Sequence, residues 1–271
     1  MGPARRTAER PPTAVSIATS DSGGGAGIQA DLLTFAAHGV HGATVLVAAT
    51  AQDSLGVSAV VPLPAPFVRR QIAAVFGDFR PRAVKIGALF DAERVRVVAT
   101  ELRRRRPPAV VLDPVLAATS GRRLLSAAGV RAMRERLLSL CDLVTPNLAE
   151  AQALARIRVR GASDRRLAAG ILADLGARAV LITGGHVPGR EVEDLLFDGR
   201  FFTSFRAPRM TSAATHGTGC TLSAAIAANF ALGRSLEDAI ARAIAFVREG
   251  LERGIRPGRG PGIPRRLARR P

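Results

Sequence analysis

The chain has 271 residues, 47% of them hydrophobic, enough to bury a sizeable core and to exclude a peptide-like or disordered protein. Its formal charge of +17 points to a polyanion only until it is located: residues 1–12 carry +2 and residues 250–271 carry +6, leaving +9 for the body. Both ends are rich in Pro, Gly and Arg, so 1–12 and 254–271 read as disordered tails around one domain, 13–253. Every cation except Lys85 is Arg, so the run Arg103–Arg106 reads as compositional habit, and no aromatic interleaving marks a specific nucleic-acid surface. Cys141 and Cys220 stand far apart, which excludes a disulfide scaffold and a CxxC zinc site and fits a reducing cytoplasm. The start of the chain lacks the apolar stretch of a signal peptide. Residues 210–233 are uncharged, but their Thr, Ser, His, Asn and Gly make a poor membrane span, so a buried helix and no membrane partner are expected.

Strands are expected at 13–19, 43–50, 83–86, 109–112, 142–145 and 179–183, several of them nearly continuous in Val, Ile, Leu and Ala as in strands covered on both faces. Helices are expected between them at 27–38, 66–76, 92–106, 130–138, 148–155 and 163–175, where apolar residues recur at spacings of three and four. A hairpin follows, 192–197 and 201–205 around Asp198-Gly199, and then two helices, 218–232 and 236–253, the second capped by Ser235. The βαβα order predicts a mostly parallel sheet between two helix layers, an α/β three-layer sandwich without internal repeats.

Three places could carry chemistry. The first strand runs into Asp21-Ser22-Gly23-Gly24-Gly25-Ala26-Gly27 and a helix, where glycines let backbone N–H groups approach a ligand. Gly25, Gly27 and Ala30 also match a dinucleotide fingerprint, with Asp53 beyond it, but Asp31 would crowd a pyrophosphate; a plain structural turn is the third reading. In Thr215-His216-Gly217-Thr218-Gly219-Cys220-Thr221, free N–H groups and a helix dipole converge where an oxyanion or phosphoryl group would be stabilised. A thiol in that first turn is expected to have a lowered pKa, making Cys220 a base near neutral pH, unless it merely packs a tight turn. Cys141 reads as core. Asn147 and Glu150, one turn apart after a strand, suit either water-mediated contact with Mg²⁺ and phosphate or a helix cap, and Asp113 could add a carboxylate on the same rim. His186 reads equally as a turn residue or a ligand contact.

As a set, SDSGGGAGIQADLLTF (20–35), ATAQDSLGV (49–57), VKIGALF (84–90), VVLDPV (110–115), TPNLAEA (145–151), ITGGH (182–186) and THGTGCTLSAAIAA (215–228) resemble, in order, the hydroxymethylpyrimidine/phosphomethylpyrimidine kinases of thiamin biosynthesis. The resemblance implies a ribokinase-like fold that uses ATP and Mg²⁺ to phosphorylate the pyrimidine alcohol and then its monophosphate. It also implies that Gln52 bonds the pyrimidine, that Asp31 contacts the substrate, that Cys220 is catalytic with Gly217, Thr218 and Gly219 forming an anion hole, and that Asn147 and Glu150 organise Mg²⁺ and phosphate.

The departures from that pattern are Thr19 for a glycine and Ala88 for a methionine beside the pyrimidine, with Thr183 and Thr119 where the family carries lysines. The two lost cations leave Arg122, Arg123 or Mg²⁺ to handle phosphate charge. A pyridoxine or pyridoxal kinase, or a pyrimidine-binding sensor without turnover, are the alternative readings, and a homodimer is left open.

Overall fold

The computed structural model describes residues 10–267 apart from His186 and Pro188, so the expectations for residues 1–9, His186 and 268–271 lie outside the described residues. In chain order the elements are β1 (Thr13–Ser20), α1 (Gly27–Ala37), β2 (His41–Gln52), β3 (Val57–Pro62), α2 (Ala65–Asp78), β4 (Ala83–Ile86), α3 (Ala92–Arg105) and β5 (Val110–Leu112). There follow α4 (Ala127–Ala132), prolonged by a wide turn over Met133–Leu137 and a tight one over Leu138–Leu140, β6 (Leu143–Val144), α5 (Leu148–Ala155), α6 (Ala162–Asp174) and β7 (Val180–Ile182). The hairpin β8 (Glu191–Phe197) and β9 (Phe202–Pro208) and the helices α7 (Thr218–Ala231) and α8 (Leu236–Glu252) complete the body.

One sheet runs β3-β2-β1-β4-β5-β6-β7-β8-β9, parallel from β2 to β7, with antiparallel β3 on one side and the β8–β9 hairpin on the other. Successive side chains of a strand point to opposite faces. Val84, Ile86, Val110 and Leu112 therefore join Ile72 of α2, Val98 of α3 and Leu154 of α5 in one apolar layer. Ala83 and Val111 face the other way, against Phe35 of α1, the alanine-rich α7 and Ile240 of α8. The same alternation turns Ser16 of β1 and Lys85 of β4, both fully buried, toward α1 and α7. A polar patch inside that layer thus lies next to the carboxyl ends of the strands.

Two expectations fail. β3 was not anticipated from the sequence, because it is a half-exposed edge strand paired only with β2. Residues 254–267, expected to be disordered, instead return across the molecule. Ile255 and Ile263 pair through two backbone bonds, Gly262 N–H donates to Ala213 O at 2.9 Å, and His216 N–H donates to Gly262 O at 3.1 Å. Gly260 N–H donates to Ser54 Oγ at 3.0 Å, and Arg265 N–H donates to Gly250 O at 2.9 Å. These bonds order a segment that has little apolar surface of its own, and they make it a strap rather than a tail.

A chain ending at Arg253 should accordingly lose roughly 2–5 kcal/mol, at about 1 kcal/mol per hydrogen bond, and melt several degrees lower. Thermal unfolding of the shortened and full chains checks this, and identical melting would return residues 254–267 to the status of a loose tail.

Candidate active site

The two glycine-rich loops cross at the carboxyl end of β1. In the first, Asp21 accepts from Gly23 N–H and Ala26 N–H, both at 2.8 Å, folding the loop around its own carboxylate. Burial works against that carboxylate's charge, but bonds from His216, Gly23 and Ala26 prevail and hold its pKa below the usual value. Gly27 opens α1 at φ +58°, where a Cβ would overlap Thr19 O. In the second loop Gly217 caps α7 at φ +76°, and a Cβ there would overlap Gly25 O. Only glycine fits that crossing. The N–H groups of Thr218, Gly219 and Cys220 begin α7 with no intrahelical partner, so the helix end offers donors and a positive dipole at the crossing.

Cys220 sits half-buried in this first turn, with the Gly27 N–H directed at its sulfur. Its acidity is the reverse of what the sequence implied. Burial pushes the thiol up to about 12, Asp113 and Asp31 add to the shift, and Lys85 and the Gly27 amide only partly oppose it. A helix N-terminus acidifies a thiol that water can reach; here desolvation and two carboxylates outweigh the dipole.

Beneath Cys220 lies the polar patch. Lys85 Nζ is 2.9 Å from Asp31 Oδ1, 3.0 Å from Asp31 Oδ2 and 3.8 Å from Asp113 Oδ2. Ser16 Oγ donates to Asp31 Oδ2 at 2.5 Å, and Ser223 Oγ donates to Asp113 Oδ2 at 3.1 Å. Although burial disfavours an ammonium, Asp31 holds Lys85 charged and its pKa above the ordinary value. Asp31, for which a substrate contact was expected, is fully buried, its carboxylate set against Lys85. Lys85, the only lysine in the sequence, had drawn no functional reading.

The remaining sequence candidates divide. Gln52 ends β2 half-buried, its backbone N–H accepted by Ser22 Oγ at 2.8 Å and its Oε1 accepting from Thr50 at 3.3 Å, which ties it to the first loop. The Thr19 hydroxyl donates to Ala88 O at 2.9 Å, which ties these two positions of the wall together. Asn147 and Glu150 form the reciprocal helix cap, Glu150 N–H to Asn147 Oδ1 at 3.0 Å and Asn147 N–H to Glu150 Oε2 at 2.9 Å. Burial and the neighbouring Asp113 carboxylate push Glu150 up to about 8. Thr183 pairs through its backbone with the Pro146–Asn147 turn. Thr119 Oγ1 lies 3.2 Å from His216 Nδ1, and Arg122 is spent on the carbonyls of Val57 and Ser58, at 2.8 Å each.

The family profile described as phosphomethylpyrimidine kinase matches residues 21–265. Over 254 residues the chain is 48% identical to the hydroxymethylpyrimidine/phosphomethylpyrimidine kinase of Rhizobium meliloti, covering 92% of this chain and 95% of that one. It is 44% identical to the thiamine biosynthesis bifunctional protein ThiED of Geobacter sulfurreducens, covering 92% of this chain but spanning only 51% of that protein. Among solved structures, an ADP complex of Bacillus subtilis pyridoxal kinase superposes with a TM-score of 0.88 at 32% identity, covering 94% and 97% of the two chains. The glycine crossing and this sheet place the chain among ribokinase-like proteins. It belongs to the phosphomethylpyrimidine kinase family.

Lys85→Met should destabilise the fold by about 3–5 kcal/mol, because Asp31 is left buried without its counter-charge. The double variant Lys85→Met/Asp31→Leu should recover most of that loss. Denaturant unfolding of parent, single and double variants checks the pair; a single variant as stable as the parent would contradict it.

Proposed function

We propose that the chain transfers the γ-phosphoryl group of ATP to the hydroxymethyl oxygen of hydroxymethylpyrimidine, and then phosphorylates the resulting monophosphate, in thiamin diphosphate biosynthesis. The observation that carries this reading is the convergence of Cys220, the free N–H groups of α7 and the crossed glycine loops on one point. The phosphoryl oxygens gain charge stabilisation from donors already fixed in place, at a site walled by apolar strands. As the new O–P bond forms and the bond to ADP breaks, the acceptor proton passes to the Cys220 thiolate. Lys85 supports that thiolate from below, and Gln52 at the first loop pairs with the polar edge of the pyrimidine.

Mg²⁺ fits the opposite rim. Asp113 and Glu150 bring two buried carboxyl groups together at a cost that Glu150 meets by holding a proton, and a divalent cation bound directly or through water would replace that proton. When bound, the ion neutralises phosphate charge. Asn147 holds Glu150 in orientation through the cap. Among the described residues no group of three or more His, Cys, Asp or Glu side chains is poised for a metal, so Mg²⁺ would have to take its remaining ligands from phosphate and water.

Pyridoxal phosphorylation is the second reading, favoured by the likeness to a pyridoxal kinase structure. Incubation with ATP, Mg²⁺ and the pyrimidine alcohol, its monophosphate or pyridoxal separates the two by which product forms. Product from pyridoxal alone would replace the first reading, and binding without turnover of any acceptor would leave a sensor. Because the thiol's pKa is raised, the thiolate fraction grows as pH rises, so kcat should climb from pH 6 to 9. Cys220→Ala should fold normally and lose most of its turnover; a folded Cys220→Ala with parental kcat would reduce Cys220 to packing.

A further inference from the structure

The strap carries a buried cation into the glycine crossing. Arg266 is 4% exposed, although it follows a stretch whose other arginines reach solvent. Its Nη2 donates to Gly25 O at 2.7 Å, and its Nε donates to Thr221 Oγ1 at 2.9 Å, where Thr221 lies in the first turn of α7. Gly217 O is 3.5 Å from Nη2. The guanidinium therefore spans both loops at the point where they cross.

Two features of this placement call for an anion. First, Arg266 Nη1 is buried and donates to nothing. An unmet donor on a charged group costs more than one on a neutral group, since it forfeits hydration without replacement. Second, among the described residues no carboxylate forms an ion pair with Arg266 at 4 Å or less, so a nearly fully buried positive charge rests on carbonyl and hydroxyl oxygens alone. Its ionisable neighbours are Cys220, whose thiol is pushed up to about 12 and holds its proton, and two carboxylates engaged elsewhere: Asp31 by Lys85, and Asp21 by its own loop and His216. The planar fork of an arginine is suited to this role, because two of its edges can be anchored while the third remains for an oxyanion. Around the same site Lys85 is neutralised, Arg122 is bound to backbone carbonyls, and Thr119 and Thr183 carry no charge.

We propose that Arg266 is a catalytic residue of the phosphoryl-transfer site, anchored by Gly25 and Thr221 so that Nη1 bonds an oxygen of the transferring phosphoryl group beside the α7 N-terminus. The inference rests on the kinase reading and adds to it the source of cationic charge at the anion hole. It also gives the strap a purpose, since residues 254–265 deliver one side chain to a site formed by parts of the chain some 45 to 241 positions earlier.

The test uses the full chain with Arg266→Ala, Arg266→Lys and, as a control on a neighbouring strap residue, Arg265→Ala. Arg266→Ala should lower kcat for the pyrimidine alcohol by about a hundredfold to a thousandfold, the range for one lost donor to a developing oxyanion. The KM for the alcohol should stay near that of the parent. Arg266→Lys should retain part of the rate, added guanidinium ion should restore part of it to Arg266→Ala, and Arg265→Ala should behave as the parent. A second readout is independent of turnover: ADP with aluminium fluoride, a mimic of the transferring phosphoryl group, should protect the parent against thermal unfolding more than it protects Arg266→Ala, while ADP alone protects both equally. Parental kcat in Arg266→Ala would overturn the proposal. So would a loss that neither lysine nor guanidinium repairs, which is the behaviour of a purely structural anchor. If the parent itself turns over none of the acceptors, the kinase reading fails on its own account, and the aluminium fluoride comparison still decides whether Arg266 holds a phosphoryl-like anion.

Discussion

The site depends on one close approach, that of the Gly217 α-carbon to the Gly25 carbonyl. A side chain at Gly217 would overlap that carbonyl, and the residue's φ of +76° lies where other residues are strained. Because the two loops touch, the N-terminus of α7 is brought against the end of β1, and the amide of Gly27 reaches the sulfur of Cys220. The N–H donors at the start of α7 are therefore backbone atoms fixed by packing, which would need no reorganisation if negative charge developed beside them.

Such a concentration of donors and carboxylates in an apolar layer has to be balanced internally. Lys85 answers Asp31 and lies near Asp113, Ser223 and Ser16 complete those carboxylates, and Asp113 in turn burdens Glu150. The thiol above this network is hard to ionise in the absence of ligands chiefly because it is buried; Lys85 opposes that shift, while Asp113 and Asp31 add to it. Asp113 links the two sides of the network, lying near Lys85 on one and acting on Glu150 on the other. Lys85 and Arg266 lie on the side of the glycine crossing, whereas Glu150, buried beside Asp113, is held up to about 8.

Much of this was legible in the sequence, for physical reasons that differ by element. The parallel strands announce themselves because burial on both faces demands unbroken Val, Ile and Leu, and α5 was bounded correctly at 148–155 because its start is written locally in Asn147 and Glu150. The glycine crossing was visible because glycine is required where backbones approach this closely. What escaped was decided by distant partners. β3 is an edge strand with no buried face to betray it, and the strap looks disordered in composition because Ser54, Ala213 and Gly25 supply the bonds that order it. The pairing of Asp31 with Lys85 escaped because the two lie 54 positions apart. The pKa of Cys220 was misjudged for the same reason, the helix dipole being local and the burial and carboxylates not.

The account stands on the glycine crossing as the device that builds the anion hole, and Gly217→Ala tests it most directly. With folding verified by circular dichroism and the alcohol as acceptor, the variant should lose about a hundredfold or more in kcat while its KM for the alcohol changes little, because the N–H groups of α7 are pushed off the phosphoryl oxygens. A folded Gly217→Ala that turns over at the parental rate would contradict the account, since the site would then work without the contact on which every other element of it has been built.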